Sequence, residues 1–179
     1  MRKTSLVAIM FSIGILIGYF LQTPCKVCAP CPKTSPLTAT SEAQLVRVTR
    51  VIDGDTIELE NGQKVRYIGI DTPELNNSRQ SKDCFAQQAK EKNQELVEGK
   101  LIELKKDVSE TDKYGRLLRY VFLSAGSATN EALFINAYLV QEGYAYATTF
   151  PPDVAYSELF LQLQKTAREE MKGMWKACP

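Results

Sequence analysis

Histidine is absent from all 179 residues. Without it the chain has no side chain that ordinarily gains and loses a proton near neutral pH, so general-base chemistry falls to a carboxylate. Negative charge is absent from the first 41 residues, and all 21 acidic side chains lie beyond them. From residue 42 onward 18 basic residues face those 21 acidic ones, a net charge of −3. That balance excludes a broad basic field, so contacts to any polyanion must come from local positive groups. No internal repeat is visible, which argues against a solenoid. What remains has the length of one domain plus an appendage, and 44% hydrophobic residues are enough for a core.

The appendage is N-terminal. Arg2 and Lys3 precede a stretch without charge from Thr4 to Cys25, strongly apolar from Leu6 to Leu21. As a helix those 16 residues rise about 24 Å, slightly short of a ~30 Å hydrocarbon layer. Residues 1–24 therefore read as a membrane anchor or signal segment that meets the membrane through residues 5–22. The basic tip places the N-terminus in the cytoplasm and exports the remainder of the chain. With no small-x-small cleavage site directly after the apolar run, an uncleaved anchor is favoured, and the expected location is the outer face of the cytoplasmic membrane or beyond it. Residues 25–43, CKVCAPCPKTSPLTATSEA, are rich in Pro, Ser and Thr and read as a linker.

Export permits disulfides, and the five cysteines fall into two groups. Cys84 and Cys178 lie in the globular part and read as a pair. Cys25, Cys28 and Cys31 have metal-like spacing but only three ligands and no histidine, which favours inter-chain disulfides or thiol modification.

The domain at 44–179 begins with three alternating runs, QLVRVTRVI, TIELE and QKVRYIGI, the last two separated by Asn61-Gly62. That dipeptide is a hairpin signal, and the three runs predict successive antiparallel strands. CFAQQAKEKNQELVEG predicts a helix ending at Gly99. LIELKKD and LLRYVFL predict two more strands around the turn SETDKYGR. TNEALFINAYLVQEG predicts a second helix, with Ala132, Ile135, Leu139 and Val140 on its inner side. SELFLQLQKTAREEMKGMW predicts a third, with Leu159, Leu163, Ala167 and Met171 as its core stripe. The expected class is α+β: a five-stranded antiparallel barrel of the oligonucleotide/oligosaccharide-binding type with three helices.

Chemistry-bearing residues cluster in two places. Asp53-Gly54-Asp55 is ordinary turn composition, but Asp55 also suits a hard cation. In IGIDTPE, Asp71 supplies a second carboxylate, and Pro73 keeps Thr72 out of helical geometry so that its carbonyl can serve as a ligand. Two carboxylates, a carbonyl and waters describe a calcium site, with magnesium the alternative ion. Glu74 is then either the general base or a solvated turn residue. Arg66 shares side-chain parity with Ile68 and Ile70, which would turn it inward toward an anion, and Arg116 closes the turn DKYGR. Two guanidinium forks, a metal and a carboxylate suit a phosphodiester.

The segments IDGDT, VRYIGIDTPE and TDKYGR, in this order and succeeded by NEAL and GMW, resemble the staphylococcal nuclease family from about residue 44 to 176. The resemblance implies an oligonucleotide-binding-type barrel and an endonuclease that depends on one calcium ion and cleaves DNA and RNA to leave 3′-phosphates. It implies calcium ligation by Asp55, Asp71 and the Thr72 carbonyl, and phosphate contacts by Arg66 and Arg116. It further implies handling of water by Glu74 and contacts to a neighbouring phosphate by Lys113 and Tyr114. The family's base-stacking tyrosine segment appears here as YAYATTFPPD, shorter and out of register, so no residue is carried over from it. The competing readings are a catalytically silent oligonucleotide-binding module and a calcium-binding surface domain. No protein partner is inferred.

Overall fold

A computed structural model of the protein describes residues 45–74, 84–124 and 132–178. The expectations for the membrane segment, the linker and Cys25, Cys28 and Cys31 lie outside the described residues. Among the described residues no helix is long and apolar enough to cross a membrane.

The alternating runs form β1 (Leu45–Asp53), β2 (Thr56–Leu59) and β3 (Lys64–Tyr67), paired antiparallel in succession. Val48, Val51, Ile57, Leu59, Val65 and Tyr67 face inward and are buried. The β2–β3 turn sits at Asn61-Gly62, but only Gly62 takes a left-handed φ, +78°. Asn61 contributes through its side chain instead, whose Oδ1 accepts a hydrogen bond from Gln63 N at 3.0 Å.

A short β4 (Ile70–Asp71) comes next, then α1 (Ala86–Val97), β5 (Leu101–Lys105) and β6 (Leu117–Leu123). β5 pairs antiparallel with β1 and with β6, while β6 closes the barrel against β3 in parallel, Arg66 opposite Leu118. The barrel is therefore mixed, not wholly antiparallel. The reason is geometric: a ring of five strands cannot alternate direction all the way round, so one neighbouring pair must run parallel.

The second helix is shorter than expected. Leu133 and Phe134 form β7 (Leu133–Phe134) against β6, with Phe134 stacked on Phe122 at 4.4 Å, and α2 runs only from Ile135 to Gln141. Ile135, Leu139 and Val140 are fully buried as expected, each stabilising by about 1.5–3 kcal/mol, whereas Ala132 lies outside the helix and is exposed. β8 (Tyr146–Ala147) pairs with β4 and sets Tyr146 opposite Asp71.

α3 (Ser157–Glu169) buries Phe160 and Ala167 and packs Leu163 on the core, while Leu159 and Met171 are exposed. The expected stripe holds at its centre and fails at both ends. Phe160 enters the aromatic cluster with Tyr120 and Phe134, and Met171 lies beyond the helix terminus. A fourth helix, α4 (Met174–Ala177), ends beside Cys178, which forms a disulfide with Cys84 across a Cα separation of 6.0 Å. The bridge closes a long loop, and in the chain-entropy account it stabilises by restricting the unfolded chain.

Two buried asparagines lock helices to the barrel. Tyr67 donates its hydroxyl to Asn93 Oδ1 at 3.0 Å, while Asn136 accepts from Val121 N and donates to Ile68 O, both at 2.9 Å. These bonds hold the end of β3, and hence the approach to β4, in one place.

Candidate active site

The turn between β1 and β2 carries Asp55 below the surface, where only 1% of it is exposed. Gly54 is required there by space, since a Cβ would fall 2.6 Å from Thr72 Oγ1. That close approach brings Thr72 onto Asp55. Asp55 Oδ2 accepts hydrogen bonds from Thr72 N at 2.9 Å and Thr72 Oγ1 at 3.1 Å, and Oδ1 accepts from Thr56 Oγ1 at 3.1 Å. A buried carboxylate needs such partners and a counter-charge. Arg66 supplies the charge, pairing with Asp55 Oδ1 and, at 2.7 Å, with Asp71 Oδ1.

Arg66 reaches this position by a different route from the one its parity predicts. Val65 and Tyr67 face the core, so Arg66 points out of the barrel wall. Ile68 and Ile70 are nevertheless buried, because β3 ends at Tyr67 and Gly69, at φ +79°, turns the chain between them. Alternation does not carry through that turn. The guanidinium still meets anions: it joins two carboxylates and also donates to Ile70 O at 3.3 Å.

Arg116 stands on the loop between β5 and β6. Asp112 builds this turn by accepting from Tyr114 N at 2.8 Å and Arg116 N at 3.0 Å, and its Oδ2 accepts from Arg116 Nε at 2.7 Å. Burial pushes the Asp112 carboxyl upward, but these bonds outweigh it and hold the group below its ordinary range. Tyr114 projects outward, 71% exposed, with Lys113 Nζ at 5.0 Å and the Arg116 guanidinium at 5.5 Å from its ring centre. A cleft of about 460 Å³ opens between this loop and the segment after β8, lined by Arg66, Lys113, Tyr114, Arg116, Phe150 and Asp153 among others.

The structure thus joins Asp55, Arg66, Asp71 and Thr72 by direct contacts and sets Lys113, Tyr114 and Arg116 on the wall of the cleft that Arg66 also lines. Glu74 is exposed, borders residues 75–83, and does not figure in the contacts described for either group. Among the described residues no three carboxylate or thiol side chains gather into a metal cluster. The donor set nonetheless fits a hard divalent cation. Asp55 and Asp71 already converge on one positive charge, both offer oxygen, and the Asp71 side chain is 41% exposed.

The sequence marks Asp53 and Asp112 only as turn residues and leaves the aromatic contact open. Asp53 Oδ1 accepts from Asp55 N at 3.2 Å. Its carboxyl is raised by burial, against the lowering effects of Thr56, Arg66 and Arg116. An aspartate opening the DKYG turn is a readable signal for the Asp112 role. Of the three aromatics in YAYATTFPPD, Tyr144 packs on Phe85 at 5.5 Å and Tyr146 meets Trp175 edge-on at 5.2 Å; Phe150 is the one that lines the cleft, 70% exposed.

A family profile described as staphylococcal nuclease homologue matches residues 64–177, more than half of the chain. The chain belongs to the staphylococcal nuclease family. Thermonuclease of Staphylococcus intermedius is 35% identical over 147 residues, covering 80% of this chain and 82% of that protein. Thermonuclease of Staphylococcus hyicus is 34% identical over 135 residues, covering 74% and 76% respectively. Endonuclease YncB of Bacillus subtilis (strain 168) is 34% identical over 142 residues, covering 75% of this chain and 64% of that protein. Membership in this family makes the protein a nuclease-type hydrolase whose substrate is nucleic acid.

Proposed function

We propose that the protein is a calcium-dependent endonuclease that hydrolyses phosphodiester bonds of DNA and RNA and leaves 3′-phosphate ends. The observation that carries the reading is the convergence of the Asp55 and Asp71 carboxylates on Arg66, beside an open cleft that Arg116 also lines. A silent binding module has no need of a buried carboxylate paired with an arginine, and a calcium-binding surface domain has no need of two arginines facing one cleft.

Asp55, Asp71 and the Thr72 carbonyl would hold the calcium ion, which would supply Lewis-acid charge at a phosphoryl oxygen. Arg66 is tied to both carboxylates, which hold its guanidinium at the cleft. From the cleft wall Arg66 offers its fork to the scissile phosphate. Arg116 comes from the other wall, neutralises charge gathering on phosphorus and donates to the departing oxygen. Glu74 takes a proton from the attacking water, the part left to a carboxylate in a chain without histidine. Lys113 holds the adjoining phosphate, and Tyr114 and Phe150 offer exposed faces to the nucleotide.

Residues 1–43 extend the proposal: a membrane segment and a Pro/Ser/Thr-rich linker place the nuclease outside the cytoplasm, tethered to the outer face of its membrane. The reaction is tested by its product ends. Fragments of an internally labelled single strand should carry 3′-phosphates and 5′-hydroxyls; 5′-phosphate ends would mean that the 3′ oxygen departs and that water reaches phosphorus from the other side, which overturns the roles given to Arg116 and Glu74.

A further inference from the structure

Two carboxylates outside the catalytic cluster join the walls of the cleft reciprocally. Asp107 lies on the β5–β6 loop, and its Oδ2 accepts from Ala155 N on the opposite segment at 2.9 Å and from the Tyr120 hydroxyl at 2.9 Å. Asp153 lies on that opposite segment, and its Oδ1 accepts from Val108 N at 3.0 Å and Ser109 N at 2.7 Å on the β5–β6 loop. Each segment thus presents a carboxylate to backbone N–H groups of the other.

The two segments carry the groups on which recognition depends. Five residues beyond Val108 the first bears Lys113, then Tyr114 and Arg116, while the second bears Phe150 three residues before Asp153. Phe150 and Asp153 are held in a tight turn by an Asp153 N to Phe150 O bond of 3.1 Å, so the position of one fixes the other. Asp153 is 8% exposed and Phe150 70% exposed, so the anchor is buried and the face it carries is free.

We infer that Asp153, with Asp107 as its counterpart, is a positioning residue that sets the distance between Phe150 and the Tyr114–Arg116 wall and thereby the affinity for a single-stranded oligonucleotide. The inference rests on the proposed nuclease reading. Charge-assisted bonds to backbone N–H groups are strong and directional, whereas loop segments without such ties occupy many arrangements. A cleft of undefined width binds substrate weakly even when its arginines and carboxylates are intact.

The test is steady-state cleavage of a short single-stranded DNA by the full-length chain and five variants. Asp153→Ala should raise KM about five- to 150-fold, the range expected from losing one aromatic–base contact, with kcat nearly unchanged. Asp153→Asn keeps the acceptor oxygen and should restore most of the affinity. Phe150→Ala should raise KM to a similar degree, and the Asp153→Ala/Phe150→Ala pair should be no worse than the poorer single variant, because both remove the same contact. Should Asp153→Ala fail to fold, Asp153→Glu carries the test, since a longer carboxylate keeps the charge and moves the walls apart. Unchanged KM in Asp153→Ala or Asp153→Glu, an Asp153→Asn variant as impaired as Asp153→Ala, or KM penalties that multiply in full in the double variant would each overturn the inference. A wild-type chain that cleaves no nucleic acid would instead overturn the nuclease reading on which it stands.

Discussion

Replacing Glu74 by glutamine is expected to lower kcat for oligonucleotide hydrolysis by about 10²- to 10⁴-fold, the usual weight of a positioned general base. The substitution keeps size and shape and removes only basicity. Glu74 is exposed, so the change disturbs no core contact and folding should be unaffected. KM should stay near the wild-type value, because the binding groups Arg66, Arg116, Lys113 and the aromatic faces line the cleft and are unchanged in the variant. Loss of less than tenfold in kcat, measured in saturating calcium, would show that Glu74 is the solvated turn residue its exposure also allows.

Arg66→Ala carries the second large effect, because it acts on two quantities at once. Losing one fork at the phosphate should cost about 10²- to 10³-fold in kcat/KM, as removal of a single preorganised donor does. Without calcium, the same variant leaves Asp55 buried and short of its counter-charge. Breaking a buried ion pair from one side costs about 3–5 kcal/mol. The three hydrogen bonds from Thr56 and Thr72 remain, which should bring the loss toward the lower end of that range. Calcium should restore much of that stability, since it supplies the missing positive charge to the same carboxylates. The calcium-induced rise in Tm is therefore expected to be larger in Arg66→Ala than in the wild type. A variant that loses stability and gains none of it back with calcium would mean that Asp55 and Asp71 serve only as an ion-pair partner for the arginine.

Local signals in the chain were sufficient for much of the barrel. β1 to β3 and the stop at Gly62 arise from alternation and turn chemistry alone, because each rule acts within a few residues. The parallel closure of β6 on β3 is set by the odd number of strands in the ring, which becomes visible only once all five are placed. Arg66 shows the same limit at the site. Its parity with Ile68 and Ile70 indicated an inward side chain, yet Gly69 breaks the strand between them and Tyr67 takes the inward position. Asp55, Asp71 and Thr72 could be grouped as oxygen donors from residue type and from Pro73, whereas the space that Gly54 leaves for Thr72 beside Asp55 appears only in the fold. Asp107 and Asp153 could not, being far apart in sequence and acting through backbone N–H groups that no side-chain pattern marks. Phe150 was one of three aromatics in its segment, and the packing of Tyr144 on Phe85 and of Tyr146 on Trp175 is what leaves it to the cleft.

The most direct measurement of the central claim is hydrolysis of a single-stranded DNA by the full chain in detergent, with calcium, with magnesium in its place, and with a chelator. The account predicts rapid cleavage in calcium, little in magnesium and none with the chelator, the activity returning when calcium is added back. Cleavage that is indifferent to the chelator would contradict it, because the convergence of Asp55 and Asp71 would then have no part in the reaction.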